Sequence, residues 1–278
     1  MAKKRIMIRC DIEGVSGVVS YEQAEPGKAE YAFGQRMFMA DLMAAIEGLT
    51  TGGADEIVIY DEHYYGRNVD VEALPAHVSV ICGKPPYRAD WAGGLDVSFA
   101  GVVLVGFHSK FGTPEGLLHH SYELDIRDLR LNGVSVGEIG MEAAVAGDSW
   151  VPVLMVTGDS AGVAEAQTLL PGVRGVVVKE SLGETGGGCL PLTVSTDRIR
   201  QAAESVVRTP PDVQPYRPTS PVRLEIKLND GPYLEAIRRL CPNQMTDDRT
   251  LVLEKESVTA TWATYWQIKL AAQAAAEA

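Results

Sequence analysis

The chain has 278 residues, with 25 Lys and Arg against 37 Asp and Glu, which gives a formal net charge of −12. Because an acidic chain is repelled by nucleic-acid phosphates and by anionic lipid surfaces, neither is expected to be a partner. Hydrophobic residues make up 46% of the chain, but no apolar run approaches the roughly 20 residues that span a bilayer. Length and composition predict a globular protein of one large domain or two smaller ones.

The first residues and the cysteines predict a cytoplasmic protein. The basic N-terminus is followed by a segment that is too short and too polar for a signal peptide, since Arg9 and Asp11 interrupt it. The four cysteines lie far apart without a CxxC pair, which indicates neither a disulfide framework nor a cysteine zinc site.

Short β-branched runs alternate with helical segments over the first two thirds of the chain. The predicted strands are 5–10, 56–60, 77–82, 101–106, 127–131, 134–136, 151–157 and 173–179. The predicted helices are 31–49, 138–146, 161–170 and 193–207, the last capped by Ser195 or Thr196. Asn132-Gly133, between two of these strands, is typical of a tight hairpin.

Residues 209–221 contain five prolines and no periodicity, which predicts a linker. A strand over 222–228, a helix over 232–240, a strand over 250–256 and a closing helix capped by Ser257 are expected beyond it. The fold class is therefore α/β: a three-layer α/β/α Rossmann-like catalytic domain over 1–208, with a smaller α+β portion over 209–278 packed on it.

Four strands of the predicted sheet each run directly into a carboxylate or an imidazole, namely Asp11, Asp61, His108 and Asp159. In an open α/β sheet, the functional site lies outside the carboxyl ends of the strands. Residues i and i+2 of extended backbone point the same way, so Asp11 and Glu13 can converge, as can Asp61 and His63.

Adding Glu138, just after the hairpin, gives a set of three carboxylates and two imidazoles. These ligand types suit zinc, manganese or ferrous iron, and zinc is the usual choice in hydrolases. The set is too large for one four-coordinate ion and suits two ions about 4 Å apart. Structural alternatives remain open: Asp61 and Asp159 can cap a turn or a helix, and Glu138 can favour a helix N-terminus.

His119 and His120 form a second concentration of imidazole. Because neighbouring side chains diverge, at most one of them is expected to face the site. A histidine beside a metal-bound water can protonate a leaving amine or hold an oxyanion, whereas the alternative is a pair on a surface loop. The glycine-rich stretch 183–188 lacks the Lys-Ser/Thr of a phosphate-binding loop and is expected to be a flexible surface loop.

Several short motifs occur in an order that is familiar from one enzyme family. They are Asp11–Gly17, Tyr60–His63 with Asn68, Val105–His108, Thr113-Pro114, His120-Ser121, Asn132-Gly133, Gly137–Gly140 and Val151–Asp159. In these motifs the chain resembles the zinc-dependent D-aminopeptidases of the dipeptide-transport operon type. The resemblance covers about the first 180 residues, and the C-terminal stretch matches only loosely.

The resemblance implies a centre of two zinc ions per subunit, with Mn²⁺ or Co²⁺ as substitutes. The matching ligands are Asp11, Glu13, His63, His108 and Glu138. Asp11 matches the ligand shared by both ions, and His120 matches the family's proposed catalytic histidine. The resemblance also implies a ring-shaped homo-oligomer, a decamer, with its sites facing an internal channel.

Two positions depart from the family pattern. Glu142 replaces a common asparagine, and on a helix it would lie on the same face as Glu138. Its carboxylate would either hold the α-ammonium group of a substrate or face solvent. Glu115 is an insertion that would reshape the pocket wall before His120.

The expected function is metal-dependent release of the N-terminal residue from short peptides, with D-residues at that position. Zinc-activated water would attack the scissile carbonyl while His120 stabilises the oxyanion or protonates the leaving amine. Two alternatives stay open at this point. One is a two-metal hydrolase of another amide or of a phosphoester, and the other is a peptide-binding protein without turnover.

Overall fold

The structure is a computed structural model that describes residues 3–276. Its strands are β1 (Arg5–Cys10), β2 (Glu56–Asp61), β3 (Val78–Ile81), β4 (Phe99–Phe107), β5 (Ile126–Leu131), β6 (Val134–Val136), β7 (Val153–Asp159), β8 (Arg174–Ser181), β9 (Gly187–Cys189), β10 (Val222–Leu228) and β11 (Thr250–Lys255). Its helices are α1 (Tyr21–Ala24), α2 (Tyr31–Gly52), α3 (Glu138–Asp148), α4 (Ser160–Leu169), α5 (Leu192–Arg208), α6 (Pro232–Leu240) and α7 (Val258–Ala276). None of the helices within residues 3–276 is both long and apolar enough to cross a bilayer.

The central sheet has seven strands in the order β3-β2-β1-β4-β7-β8-β9. All of its pairs are parallel except β8 with β9. Successive residues of β1, such as Ile6, Met7 and Ile8, are all buried, so both faces of the sheet are covered. Helices α2 and α5 pack together in one layer, and α3 contacts α4 in the other. The prediction of a three-layer α/β fold is confirmed.

A second, antiparallel sheet has the order β11-β10-β5-β6. It joins the hairpin of Asn132-Gly133 to the C-terminal strands, with Leu131 opposite Leu224. The division into 1–208 and 209–278 stays a prediction, and this sheet takes strands from both sides of it. The connecting segment 209–221 forms no helix or strand. It packs closely on α3, where a Cβ added at Gly147 would lie 1.9 Å from the carbonyl oxygen of Tyr216.

Of the two helix caps predicted from the sequence one is confirmed, and so is the capping alternative that was left open for Asp159. The Ser257 hydroxyl accepts a hydrogen bond from the Ala260 N–H at 3.1 Å at the start of α7. The Asp159 carboxylate caps α4 by accepting from the Gly162 N–H at 2.8 Å. The predicted cap of α5 is wrong: the helix begins at Leu192, so Ser195 and Thr196 lie inside it and donate to the Leu192 carbonyl.

The glycine-rich stretch 183–188 forms more regular structure and more hydrogen bonds than the sequence predicts. Gly187 and Gly188 belong to β9, an edge strand of the central sheet, so the prediction of a surface loop is wrong for them. The Glu184 carbonyl accepts a hydrogen bond from the Leu118 N–H at 3.0 Å. The stretch therefore supports the segment that carries His120.

Close backbone approach at the carboxyl edge of the sheet depends on two glycines. A Cβ added at Gly158 would lie 2.0 Å from the carbonyl oxygen of Phe107, and one at Gly14 would lie 2.1 Å from the same oxygen. Real Cβ atoms cannot approach a backbone oxygen so closely. The end of β7 and the segment that follows β1 can therefore pack directly on the end of β4 only with glycine at these positions.

We predict that Gly158→Ala lowers the free energy of unfolding by about 1–3 kcal/mol, because the added methyl group forces the backbones of β4 and β7 apart. The matched control is Gly186→Ala, where an added Cβ meets nothing within 4 Å. Urea unfolding followed by circular dichroism measures both variants. Equal unfolding midpoints for the two variants would contradict the packing argument.

Candidate metal centre

The segment after β1 lies on the end of β4 and carries Asp11 and Glu13. The Asp11 N–H donates to the Val105 carbonyl at 2.9 Å, and the Gly14 N–H donates to the Gly106 carbonyl at 2.8 Å. Both carboxylates are buried, with exposures of 3% for Asp11 and 5% for Glu13. These hydrogen bonds fix the backbone from which the two acids project.

Lys179 on β8 holds the same segment through hydrogen bonds to its backbone. Its fully buried ammonium group donates to the carbonyls of Glu13 at 2.5 Å, of Val15 at 2.8 Å and of Val18. Three carbonyls match the three N–H donors of a lysine. Burial lowers the pKa of Lys179 to about 8. The lysine therefore acts as a fixed internal cation that orders the backbone around Glu13.

The end of β2 delivers His63 in a defined tautomer. The Asp61 carboxylate accepts hydrogen bonds from the backbone N–H and the side-chain amide of Asn68, at 2.6 and 2.7 Å. Asn68 Oδ1 then lies 3.1 Å from His63 Nδ1, so Nδ1–H donates to it. His63 Nε2 is left facing Glu13 Oε1 at 3.5 Å. Asp61 braces the loop, as the structural alternative predicted.

The end of β4 and the start of α3 bring His108 and Glu138 together. His108 Nδ1–H donates to the Ser109 carbonyl at 2.9 Å. Its Nε2 lies 3.4 Å from Asp11 Oδ2 and 3.3 Å from Glu138 Oε1. Glu138 is the first residue of α3, and its Oε1 also accepts from the Tyr122 N–H at 2.7 Å.

Of the two neighbouring histidines, His120 faces this cluster. Its Nδ1–H donates to the Leu118 carbonyl at 2.9 Å, and its Nε2 lies 3.6 Å from Glu138 Oε1. The ring stacks on His108 with 4.2 Å between centroids. His119 points elsewhere: its Nδ1 accepts from the Gly112 N–H at 3.1 Å.

The cluster is built from groups that a cation would satisfy. Asp11, Glu13 and His63 form one set and His108, His120 and Glu138 another, with ligand atoms within 4.8 Å of one another in each set. Within residues 3–276, Asp11 Oδ2, Glu13 Oε2 and His108 Nε2 are buried and have no hydrogen-bond partner. Unpaired buried polar atoms are costly. Because carboxylates and imidazoles are the preferred ligands of zinc, the residues present fit a metal centre.

In the absence of a metal, protons balance the buried acids. Burial and the neighbouring Glu13 raise the pKa of Asp11 to about 7. Burial also opposes ionisation of Glu138, but His108 outweighs it and lowers the pKa of Glu138 to about 2. Burial disfavours the charged form of His63, yet Glu13 raises its pKa to about 9. His63 and His108, whose pKa values are both raised, can therefore carry the positive charge that a metal would supply.

We predict that zinc binding at pH 8 releases protons. A metal binds neutral imidazole, but the His63 pKa of about 9 means that this ring is protonated in the metal-free protein. Apparent zinc affinity should therefore rise with pH and level off above about pH 9 for this group. Calorimetric titration of the metal-free protein in buffers of different ionisation enthalpy measures the release. The His119→Ala variant is the control and should release the same number of protons.

Glu142 lies one helical turn after Glu138 but belongs to a different network. It is 1% exposed, so the solvent-facing alternative is wrong. One oxygen accepts from the Arg9 guanidinium and the other accepts from the Tyr122 hydroxyl at 2.7 Å. Contact with a substrate ammonium group stays a prediction, but both oxygens of Glu142 are already engaged.

Sequence reasoning missed the central member of this network. Arg9 is fully buried and also donates to Glu62 Oε1 at 2.9 Å. Burial and the nearby Glu142 raise the pKa of Glu62. The signal was available, because an arginine inside an apolar strand is rarely buried without carboxylate partners. Lys179 on β8 is a second buried cation, but its partners are backbone carbonyls instead of carboxylates.

The cluster opens into a cavity of about 630 Å³. Its lining includes Asp11, Glu13, His63, His120 and Glu138. The volume lies within the ordinary range for small-molecule sites. His108 and Glu142 do not line the cavity, and both are buried in the protein beside it.

A parallel α/β sheet with buried carboxylates and imidazoles at its carboxyl edge defines the class of α/β metallohydrolases. The chain belongs to the D-aminopeptidase family, peptidase family M55, whose sequence model matches residues 4–266. It is therefore a metal-dependent peptide hydrolase of the aminopeptidase type, as the resemblance in its motifs predicted. The alternatives of a phosphoesterase and of a non-catalytic binding protein are not supported.

Two comparisons give the extent of the similarity. The chain is 30% identical over 216 residues to the D-aminopeptidase of Bacillus subtilis (strain 168), which covers 77% of each protein. It is also similar to a solved structure, the Zn-dependent D-aminopeptidase DppA from Bacillus subtilis, described as a self-compartmentalizing protease. That superposition has a TM-score of 0.88 and 26% sequence identity, and it covers 98% of each chain.

Proposed function

We propose that this protein is a binuclear zinc aminopeptidase that removes an N-terminal D-residue from short peptides. One observation carries the proposal: three buried carboxylates and three imidazoles converge beside a peptide-sized cavity, and three of their atoms lack any partner within residues 3–276. The family of the chain and the Zn-dependence of its structural relative support zinc as the metal.

We assign the ligands to two ions. Asp11, Glu13 and His63 would hold one ion, and Asp11, His108 and Glu138 would hold the other. Asp11 suits the shared position because it belongs to the first set and its Oδ2 also lies 3.4 Å from His108 Nε2. Bound zinc supplies Lewis-acid polarisation and lowers the pKa of water, and Mn²⁺ or Co²⁺ would substitute.

His120 would be the catalytic histidine. Burial and the neighbouring His108 lower its pKa, so the ring is neutral near pH 7. Its Nδ1–H is held by the Leu118 carbonyl, which leaves Nε2 free on the side of the cavity. A neutral imidazole in this position can take a proton and pass it to the leaving amine. Once protonated, it can also donate to a developing oxyanion.

We also propose a homo-oligomer, with the decameric ring of the family as its form. The solved relative is described as self-compartmentalizing. In this chain, exposed apolar side chains lie around the mouth of the cavity, namely Tyr64, Tyr65, Leu124 and Leu270. Clustered exposed apolar groups are typical of contact surfaces.

The function is tested with D-Ala-D-Ala, L-Ala-L-Ala and an aryl phosphate as substrates. We expect zinc-loaded protein to cleave D-Ala-D-Ala fastest, a chelator to abolish cleavage, and added zinc, manganese or cobalt to restore it. Metal analysis of protein purified without a chelator should give two zinc ions per subunit. Absence of bound metal together with activity that resists the chelator would falsify the proposal.

The role of His120 is tested by two adjacent alanine variants. His120→Ala should lower kcat by about 100-fold or more, the usual effect of losing a general acid or base, while zinc content is retained. His119→Ala is the matched control, because that ring contacts Gly112 and Phe111 outside the cluster. Similar losses in the two variants would assign the effect to loop structure instead.

A further inference from the structure

Three basic side chains line the catalytic cavity: Arg67, Lys84 and Lys269. Lys269 is 5% exposed and forms an ion pair with Glu123. Its ammonium group lies 4.1 Å from the centre of the Trp266 ring, and that of Lys84 lies 5.2 Å from the same ring. Two ammonium groups therefore converge on one aromatic ring, and the only carboxylate ion-paired to either of them within residues 3–276 is that of Glu123.

Lys84 forms no direct ion pair within residues 3–276, although it lies near enough to the buried Glu62 to oppose the rise in the pKa of that carboxyl. Among the residues that the structure describes, no carboxylate oxygen lies within the 4.0 Å ion-pair distance of its nitrogen. The side chain is only partly exposed, so water screens it less than it screens the exposed Arg67. Although the cavity as a whole has more acidic than basic side chains, Lys84 and Lys269 form a local basic pair at Trp266. Two neighbouring ammonium groups favour an anionic ligand at that end of the cavity.

The backbone holds Lys84 close to the metal cluster in an unusual conformation. Its φ of +50° lies in the left-handed region, which non-glycine residues rarely adopt and which is often found at functional sites. The preceding Gly83 N–H donates to the Gly66 carbonyl at 2.6 Å, and the Gly66 N–H donates to the His63 carbonyl at 2.9 Å. The segment that carries Lys84 is therefore linked to the turn at His63 by two successive backbone hydrogen bonds.

Close packing fixes this arrangement. A Cβ added at Gly66 would lie 2.8 Å from the backbone nitrogen of Lys84, so the two loops are in direct contact. On the other side, the Pro85 carbonyl accepts a hydrogen bond from the Tyr60 hydroxyl at 3.3 Å. The fold consequently fixes the backbone position of Lys84 relative to the cluster. A lysine at a fixed position can select ligands of one length.

We propose that Lys84 binds the free α-carboxylate of the peptide substrate. The inference rests on the proposed aminopeptidase function and names its substrate class as peptides short enough to reach Lys84 with the scissile bond at the metal cluster. The α-carboxylate is the anion that every unmodified peptide carries, whatever its side chains. A lysine–carboxylate hydrogen bond is charge-assisted and correspondingly strong.

The test compares D-Ala-D-Ala with its C-terminal carboxamide on the zinc-loaded protein. Wild-type protein should prefer the free acid, and Lys84→Met should lower the ratio of the two kcat/KM values by roughly tenfold or more, mainly through KM. Lys84→Arg should retain most of the preference. Arg67→Met is the matched control, which removes a cation from the same cavity at an exposed position and should leave the ratio within twofold of wild type.

Each other outcome overturns the proposal. An unchanged ratio in Lys84→Met excludes carboxylate binding by this residue, and an equal fall in Arg67→Met reduces its role to general neutralisation of an acidic cavity. Calorimetric binding of the same two peptides separates this inference from the proposed function. If neither peptide is cleaved, tighter binding of the acid that is lost in Lys84→Met still supports it, and equal binding of acid and amide by wild type refutes it.

Discussion

The mutual repulsion of buried carboxylates at one edge of the central sheet is the constraint on which the rest of the structure depends. Asp11 and Glu13 belong to one close set of ligand atoms, and His108 Nε2 lies between Asp11 at 3.4 Å and Glu138 at 3.3 Å; all three carboxylates are buried. Such a group of like charges is tolerated only beside compensating cations. The imidazoles of His63 and His108 provide this charge when protonated, and bound metal would provide it more completely.

This electrostatic requirement accounts for the many hydrogen bonds that fix the surrounding backbone. Ligand groups must converge without relaxing apart, so the segment after β1 is held by Lys179 from one side and by the Asp41 carboxylate, which accepts from the Ser16 N–H at 2.8 Å, from the other. Gly14 lets the same segment lie directly on β4. Behind Glu138, Arg9 neutralises Glu62 and Glu142 in the same manner. Buried cations thus support the cluster on two sides, Lys179 through backbone carbonyls and Arg9 through carboxylates.

Sequence periodicity predicted the central sheet and nearly all of its helices, because buried parallel strands leave uninterrupted apolar runs. The candidate ligands were predictable for a related reason: parallel strands end at one edge, so residues that follow them in sequence meet in space. The pairing between strands that are distant in the chain was not predictable in the same way. The hairpin at Asn132-Gly133 was foreseen as a local turn, but its alignment with β10 depends on residues about 90 positions away, which no local pattern encodes.

The sequence by itself determined the strand-end placement of Asp11, Glu13, His63 and His108 and the helix-start placement of Glu138, and motif order determined the family. Only the tertiary structure decided how the neighbouring side chains are paired and oriented. It engaged Glu142 with Arg9 instead of solvent and placed Lys84 in the cavity beside the cluster, and the orientation of His120 agrees with the choice that motif order had already made over His119. These outcomes depend on contacts between segments distant in the chain, whereas the ligand positions follow from short-range backbone geometry and the common direction of parallel strands.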